Sequence, residues 1–444
     1  MDNIEITHDW QDAGAERAEF RATTAYLTIK IAGQSLTANE DIWSRTLKGS
    51  TLVSLYPLAN WLLSSWWRLL WEPLPARGVS PPIDWRMSHE IGAVGHGVIW
   101  PRIAIAAEGE TVRVWATAFD PGERQAVRYV NGLERPAVLD QEAFRRSIEG
   151  LVRASLERLS ALGHPDTGLK QLWLAVQEEM NDASAVTYRR LEAKLGFDPD
   201  EGPDRLMEEA LRMHDNLGAS TLDELIPVYA NASPDDPLSP IARFAATGGV
   251  KGTPHLVLSN PAARHTHCPP WRRAVDDAQR ARMQVGPISG QVSTTVLCDT
   301  LGIQATDYES RMPEGREKVA VAVPAQGLEL NFFPRKRHPH ARRFELARFL
   351  ADSIFAPALH GGWLASTDLA TSRQQYQRAF AAEFLCPAVE LEGFLGRDYS
   401  EPALEDASDH FGVSTATVTT VLANSGLIPR SDVYEGSHFP YAVA

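Results

Sequence analysis

The sequence predicts an α+β protein, and three observations predict it. Residues from about 23 to 33 (Thr23-Thr24-Ala25-Tyr26-Leu27-Thr28-Ile29-Lys30-Ile31) alternate polar and apolar, the period of a strand with one buried face. Phe144, Ile148, Leu151, Val152, Leu156 and Leu159 recur at helical spacing, and Gly163 stops that helix. Phe344, Ala347, Leu350, Ala351 and Ile354 do the same over 342–355, which therefore reads as a buried helix. At 444 residues the chain is too long for one ordinary core. The expected division is a tryptophan-rich mixed α/β domain over 1–139, a helical region over 140–231, a linker over 232–252 and a last domain over 253–444.

Composition sets outer limits on function. With 44% hydrophobic and 23% charged residues the chain is globular rather than disordered. A formal charge of −14 and a pI near 5.4 argue against a general nucleic-acid or anionic-membrane surface, though not against a local basic patch. Cys268, Cys298 and Cys386 are odd in number and widely spaced, so no disulfide framework is expected. Met1-Asp2-Asn3-Ile4-Glu5 lacks the basic-then-apolar pattern of a signal peptide, and a cytoplasmic, bacterial-type protein is expected.

Taken in order, the first domain next offers 52–71, strongly apolar and carrying Trp61, Trp66, Trp67 and Trp71. Such a length could cross a bilayer, but Pro57, Asn60, Ser64, Ser65 and Arg68 interrupt it. A buried core helix is expected there, and no membrane span. Within 85–100, His89, Glu90 and His96 fit no common metal-ligand spacing and read as satisfied polar residues near a turn. Residues 103–119 read as two strands around Glu108-Gly109-Glu110. Ten of the 12 tryptophans lie before residue 174, which gives this region its own character.

The helical region is acidic: Glu178, Glu179, Asp182, Asp198, Asp200, Glu201, Glu208 and Glu209 make phosphate contact improbable. Proline and glycine in 232–252 (Ser233-Pro234-Asp235-Asp236-Pro237, then Gly248-Gly249) suggest the linker. In the last domain, Val319-Ala320-Val321-Ala322-Val323 and Leu328-Glu329-Leu330-Asn331 read as a sheet beside the buried helix. Near the end, Leu404 to Leu422 has the form of a helix, a turn at Gly412 and a second helix capped by Ser414. From 402 to 429 there is no Lys or Arg, so this pair is expected to pack rather than to read DNA.

Two stretches carry a resemblance. They are Arg343-Phe344-Glu345-Leu346-Ala347, and Arg378-Ala379-Phe380-Ala381-Ala382-Glu383-Phe384-Leu385-Cys386-Pro387. Both resemble helices of the zinc peptidases of the ImmA/IrrE family, over roughly the last third of the chain. The resemblance implies a zincin-like last domain whose first helix should carry His-Glu-x-x-His. Two His four apart reach one zinc, and the Glu takes a proton from its water. Here Arg348, Phe349 and Asp352 stand at those places. The family's third ligand, an acid shortly before Phe380, is also missing from Thr371-Ser372-Arg373-Gln374-Gln375-Tyr376-Gln377. No catalytic residue and no cofactor are expected. Arg348 and Asp352, spaced i,i+4, are expected to pair with each other, or Arg348 with Glu345.

One basic run, Arg335-Lys336-Arg337-His338-Pro339-His340-Ala341-Arg342-Arg343, stands out in this acidic chain. Its plain reading is a solvated loop. Its functional reading is an anion site built from Arg335, Lys336, Arg337, Arg342 and Arg343. A relocated metal site from His338, His340 and His360, with Asp352, is a further reading. Three functions follow: a pseudo-peptidase that binds a protein or small signal, an active metallo-endopeptidase with relocated ligands, and a nucleic-acid-binding regulator without sequence specificity. The first is preferred, because the residues lost are those that chemistry requires.

Overall fold

A computed structural model describes residues 1–429 apart from 14–16, 76–79, 119–124, 233–234, 247, 259–267, 287–288, 312–316, 326 and 356–361. It is 52% helical and 17% strand, a mixed α+β architecture as the sequence predicts. Its contacts divide the chain into two compact units, Met1–Met207 and a second beginning at Glu208.

The first unit opens with β1 (Ile4–Trp10), α1 (Ala18–Ala22) and β2 (Thr24–Ile31). β1 runs antiparallel to β2, from Ile4↔Ile31 to Trp10↔Ala25. Ala25, Leu27, Ile29 and Ile31 are buried while Tyr26 and Lys30 face out, as the alternation requires. β3 (Gln34–Ser35) pairs with the end of β2. β4 (Asn39–Asp41) and β5 (Thr46–Lys48) form a separate ribbon. The apolar stretch 52–71 becomes β6 (Thr51–Ser54), α2 (Leu55–Ser64) and α3 (Trp66–Trp71), broken at Ser65. Trp66 and Trp67 are buried, and no described helix is long and apolar enough to cross a membrane.

After α4 (Ile83–His89) come β7 (Arg102–Ala107) and β8 (Thr111–Thr117), a hairpin in register Ile103↔Ala116, where two strands are expected. β9 (Val127–Tyr129) joins the β4–β5 ribbon, and β10 (Ala137–Asp140) pairs with β8. Asp140 then accepts the Ala143 amide and starts α5 (Gln141–Ala161). Phe144, Ile148, Leu151, Val152 and Leu159 of α5 are buried in the same core as β1, β2 and α2. The border expected between 139 and 140 is therefore corrected: strand and helix meet there without a break and serve one core. α6 (Gly168–Asn181) and α7 (Ala183–Lys194) belong to this unit as well.

The division falls instead within α8 (Asp204–Leu217). The second unit continues with α9 (Ala219–Ala232), α10 (Ser239–Ala246) and β11 (Val250–Gly252). The linker expected over 232–252 is thus largely structured. β11 is the first strand of an antiparallel sheet completed by β12 (Ala320–Pro324), β13 (Leu330–Phe333) and β14 (Leu364–Ser366), in the order β11-β13-β12-β14. α10 packs on β12 and brings Phe244 to 5.6 Å from Phe333, ring to ring. The apolar residues of this stretch (Leu238, Ile241, Phe244, Val250) are buried.

Between β11 and β12 lie α11 (Pro270–Val285), α12 (Thr294–Thr300) and α13 (Ala305–Ser310). α14 (Pro339–Phe355) is the predicted buried helix, and α15 (Ser372–Leu385) follows β14. Alternation along β12 separates the two sides of the sheet. Ala320 and Ala322 join the core of α14 and α15, whereas Val319, Val321 and Val323 are also buried without belonging to that core. α16 (Ala388–Leu395), α17 (Glu401–Phe411) and α18 (Thr415–Asn424) complete the unit. Val418, Val421 and Leu422 of α18 lie in the α14 core, which agrees with packing as the role of this last pair.

Candidate functional site

α14 is built into the second unit from Arg342 to Ile354. Leu346, Ala347, Leu350 and Ala351 are fully buried in the core. Arg343, in the lead of the motif, donates from Nε to the Gly412 carbonyl at 2.9 Å, from Nη1 to Thr294 Oγ1 at 3.2 Å, and from Nη2 to the Val292 carbonyl. It thereby ties the turn between α17 and α18 to the start of α14.

The three motif positions have distinct fates. Phe349 is 1% exposed and meets Phe332 of β13 edge to face at 5.3 Å, so it faces the sheet within the core. Arg348 donates from Nη2 to the Thr367 carbonyl at 2.8 Å and to Gln374 Oε1 of α15. Burial, together with Arg378 and Arg335 nearby, pushes its guanidinium pKa down to about 9. Asp352, 1% exposed, accepts from Arg373 Nε at 2.8 Å and Nη2 at 2.6 Å. The expected Arg348–Asp352 pair does not form. Helical spacing puts both on one face, but Arg373 offers the carboxylate a planar two-point fork that Arg348 would have to match. Glu345 accepts the Arg335 amide at 2.9 Å. Burial pushes its carboxyl up.

These side chains share a task at β14, an edge strand of the sheet. An edge leaves backbone groups unpaired, and buried ones need partners. The Ala365 amide donates to Asp352 Oδ2 at 2.9 Å, and the Ala365 carbonyl accepts from Gln374 Nε2 and Gln377 Nε2, each at 2.9 Å. The Thr367 amide donates to Gln374 Oε1 at 2.8 Å, and its carbonyl takes the Arg348 bond. Four side chains from α14 and α15 therefore stand where a further strand would pair. Arg373 also reaches the Ser220 carbonyl of α9 at 2.8 Å, and Thr371 donates to Glu224 of the same helix at 2.8 Å.

The implied ligand set does not fit zinc. Position 348 presents a guanidinium, 349 a phenyl ring in the core and 352 a carboxylate already held at both oxygens. Gln374 and Gln377, the polar residues of α15 beside them, spend their amides on β14.

The basic run is largely corrected as an anion site. Arg335 is buried and forks onto Asp368 at 2.6 and 2.8 Å. Arg342 stacks on Tyr308 at 4.3 Å and donates to the carbonyls of Arg311, at 3.0 Å, and Tyr308. With Arg343 engaged as above, three of the five candidate cations hold the fold. Lys336 is half-buried and Arg337 exposed. The rings of His338 and His340 touch at 5.3 Å, and His360 lies outside the described residues. Among the described residues no group of three or more His, Cys, Asp or Glu could hold a metal ion.

In the first unit, His89 is buried between Glu72 Oε2 at 2.9 Å and the Ile105 carbonyl at 2.7 Å, stacked on Trp85. Glu90 pairs with Arg86 at 2.8 Å, and the His96 ring rests against Phe20. The three serve separate contacts, as satisfied polar residues do.

Sequence reasoning missed Arg373, Gln374 and Gln377. A signal was present: Gln377 precedes Phe380, Ala381 and Phe384 at spacings of three, four and seven, so an amide sits on the apolar face of α15. Compared with family models, with curated proteins and with solved structures, the chain matches none.

Proposed function

We propose that this chain is a metal-free pseudo-peptidase of ImmA/IrrE type, a cytoplasmic protein that binds a protein partner and does not cleave it. The resemblance suggests a regulatory setting: stress response, control of mobile elements, or phage defence. One observation carries the reading. The residues at the three motif positions are spent on the fold, two on the edge of β14 and one in the core. Catalysis by this motif would need those positions free to bind metal and activate water.

The test is metal content and cleavage measured on the same preparation. Purified protein should carry well under one equivalent of zinc, and partner proteins recovered from the native host should remain intact when incubated with it. Zinc-dependent cleavage by the unmodified chain would overturn the proposal.

A further inference from the structure

Three buried polar atoms around β14 have no hydrogen-bond partner among the described residues: Arg348 Nε, Ser366 Oγ and Gln377 Oε1. Two more belong to the neighbourhood, Arg335 Nε and Glu345 Oε1, but these face each other at 3.5 Å as an ion pair. Buried polar groups are nearly always satisfied, and where protein cannot reach them an ordered small molecule does.

The three atoms are placed by contacts to consecutive residues. Arg348 bonds the Thr367 carbonyl and Gln377 the Ala365 carbonyl, the two neighbours of Ser366. Ser366 pairs with Ala320, and both Ala320 and Leu364 face the core of α14 and α15. By the alternation of a strand, the Ser366 hydroxyl points to that same side. Each atom's role is fixed as well. Arg348 Nε only donates. The Ala365 carbonyl only accepts, so Gln377 must turn Nε2 toward it and leave Oε1 as an acceptor. Ser366 can do either.

We infer that α14, β14 and α15 enclose a site for one small neutral molecule that both donates and accepts hydrogen bonds, water or a hydroxylic guest of its size. It accepts from Arg348 Nε and donates to Gln377 Oε1, with Ser366 Oγ as its third partner. A metal cation would meet the Arg348 guanidinium, and a halide would meet the Gln377 carbonyl oxygen. The guest joins three elements at the place where the resemblance puts zinc. The inference rests on the metal-free reading of these positions.

The deciding experiment is a crystal of the full chain grown in bromide solution, with data collected at the bromide and zinc absorption edges. The expected result is one water-sized peak without anomalous signal, within hydrogen-bond reach of all three atoms, and absent from Gln377→Leu. A bromide peak there would overturn the inference, as would Arg348 Nε bonded directly to Gln377 with nothing between. A zinc peak would overturn the metal-free reading itself. Should Gln377→Leu fail to fold, the wild-type crystal decides alone.

Discussion

Asp352 and Arg373 form a two-point ion pair, 2.8 and 2.6 Å, with the carboxylate 1% exposed and the guanidinium joining α15 to α14. Asp352 also accepts the Ala365 amide, so one carboxylate links two helices and a strand. Arg348, one helical turn earlier, is buried, and its hydrogen-bond partners among the described residues are a carbonyl and an amide oxygen. The two arginines should therefore respond differently to removal. Arg373→Met strands a buried carboxylate and should cost on the order of 3–5 kcal/mol. Arg348→Met removes a charge that burial disfavours and leaves the Thr367 carbonyl short of a donor. Its cost should be nearer about 1–2 kcal/mol. Denaturant melts of both variants check the ranking, and equal losses would contradict it.

Glu72 gives the first unit an acid limit. Burial works to raise its carboxyl pKa, but His89 and Arg68 outweigh burial and hold it below the usual range. The Arg68 Nε–Glu72 contact is 2.6 Å. A carboxylate depressed in the folded state stabilises above its unfolded pKa, and that contribution is lost as pH falls through the lower folded value. Stability should thus fall as pH drops below about 4.5, the ordinary carboxylate value. Glu72→Gln should be less stable than wild type at neutral pH and should lose part of this acid dependence. Melting temperature followed against pH for both proteins measures it. A variant with an unchanged acid slope would show that other carboxylates set the limit.

Gly412 tests the packing role of the last helix pair. Its φ is +61°, the left-handed cap that ends α17, and its carbonyl takes the Arg343 bond. An added Cβ would sit 2.0 Å from Gln291 Nε2 and 3.2 Å from Arg343 Nε. Gln291 can swing aside, being the end of a flexible chain, but the backbone conformation remains strained. Gly412→Ala should therefore cost about 1–2 kcal/mol in left-handed strain alone. Arg343→Met should destabilise too, since two carbonyls and a hydroxyl lose their donor. A neutral Gly412→Ala would mean that the turn is not fixed as described.

Periodicity made the elements legible and left their partners hidden. The α14 helix, the β7–β8 hairpin and the Phe144–Leu159 face of α5 follow from spacing alone, because a buried stripe must repeat with its backbone. Asp352 and Arg373 lie 21 residues apart, and Arg335 and Asp368 lie 33 apart. No local rule selects such pairs over the i,i+4 neighbour. The basic run misled for the same reason: Arg335, Arg342 and Arg343 look like a surface in sequence, yet each is buried and reaches a carbonyl or carboxylate of its own. The missing boundary at 139/140 is a case of tertiary packing overriding a change in local pattern.

Placing a His-Glu-x-x-His motif on α14 should not create a peptidase. Arg348→His, Phe349→Glu and Asp352→His together would supply that motif. His at 352 cannot take the Arg373 fork at both oxygens, so a buried guanidinium would lose its carboxylate. Glu at 349 would enter the space against Phe332, where a carboxylate finds an apolar wall in place of a water to deprotonate. Gln374 and Gln377 would still be committed to the Ala365 carbonyl, with no acid on α15 ahead of Phe380 to complete the ligands. The triple variant should melt well below wild type and bind zinc weakly. A second variant that adds Gln374→Glu should gain zinc affinity while losing the Gln374 donor to β14. Metal titration and melting temperature, measured on wild type and both variants, separate these effects. Tight, stoichiometric zinc with cleavage in the triple variant would mean that the site is one substitution set away from an enzyme and that its present contacts are incidental.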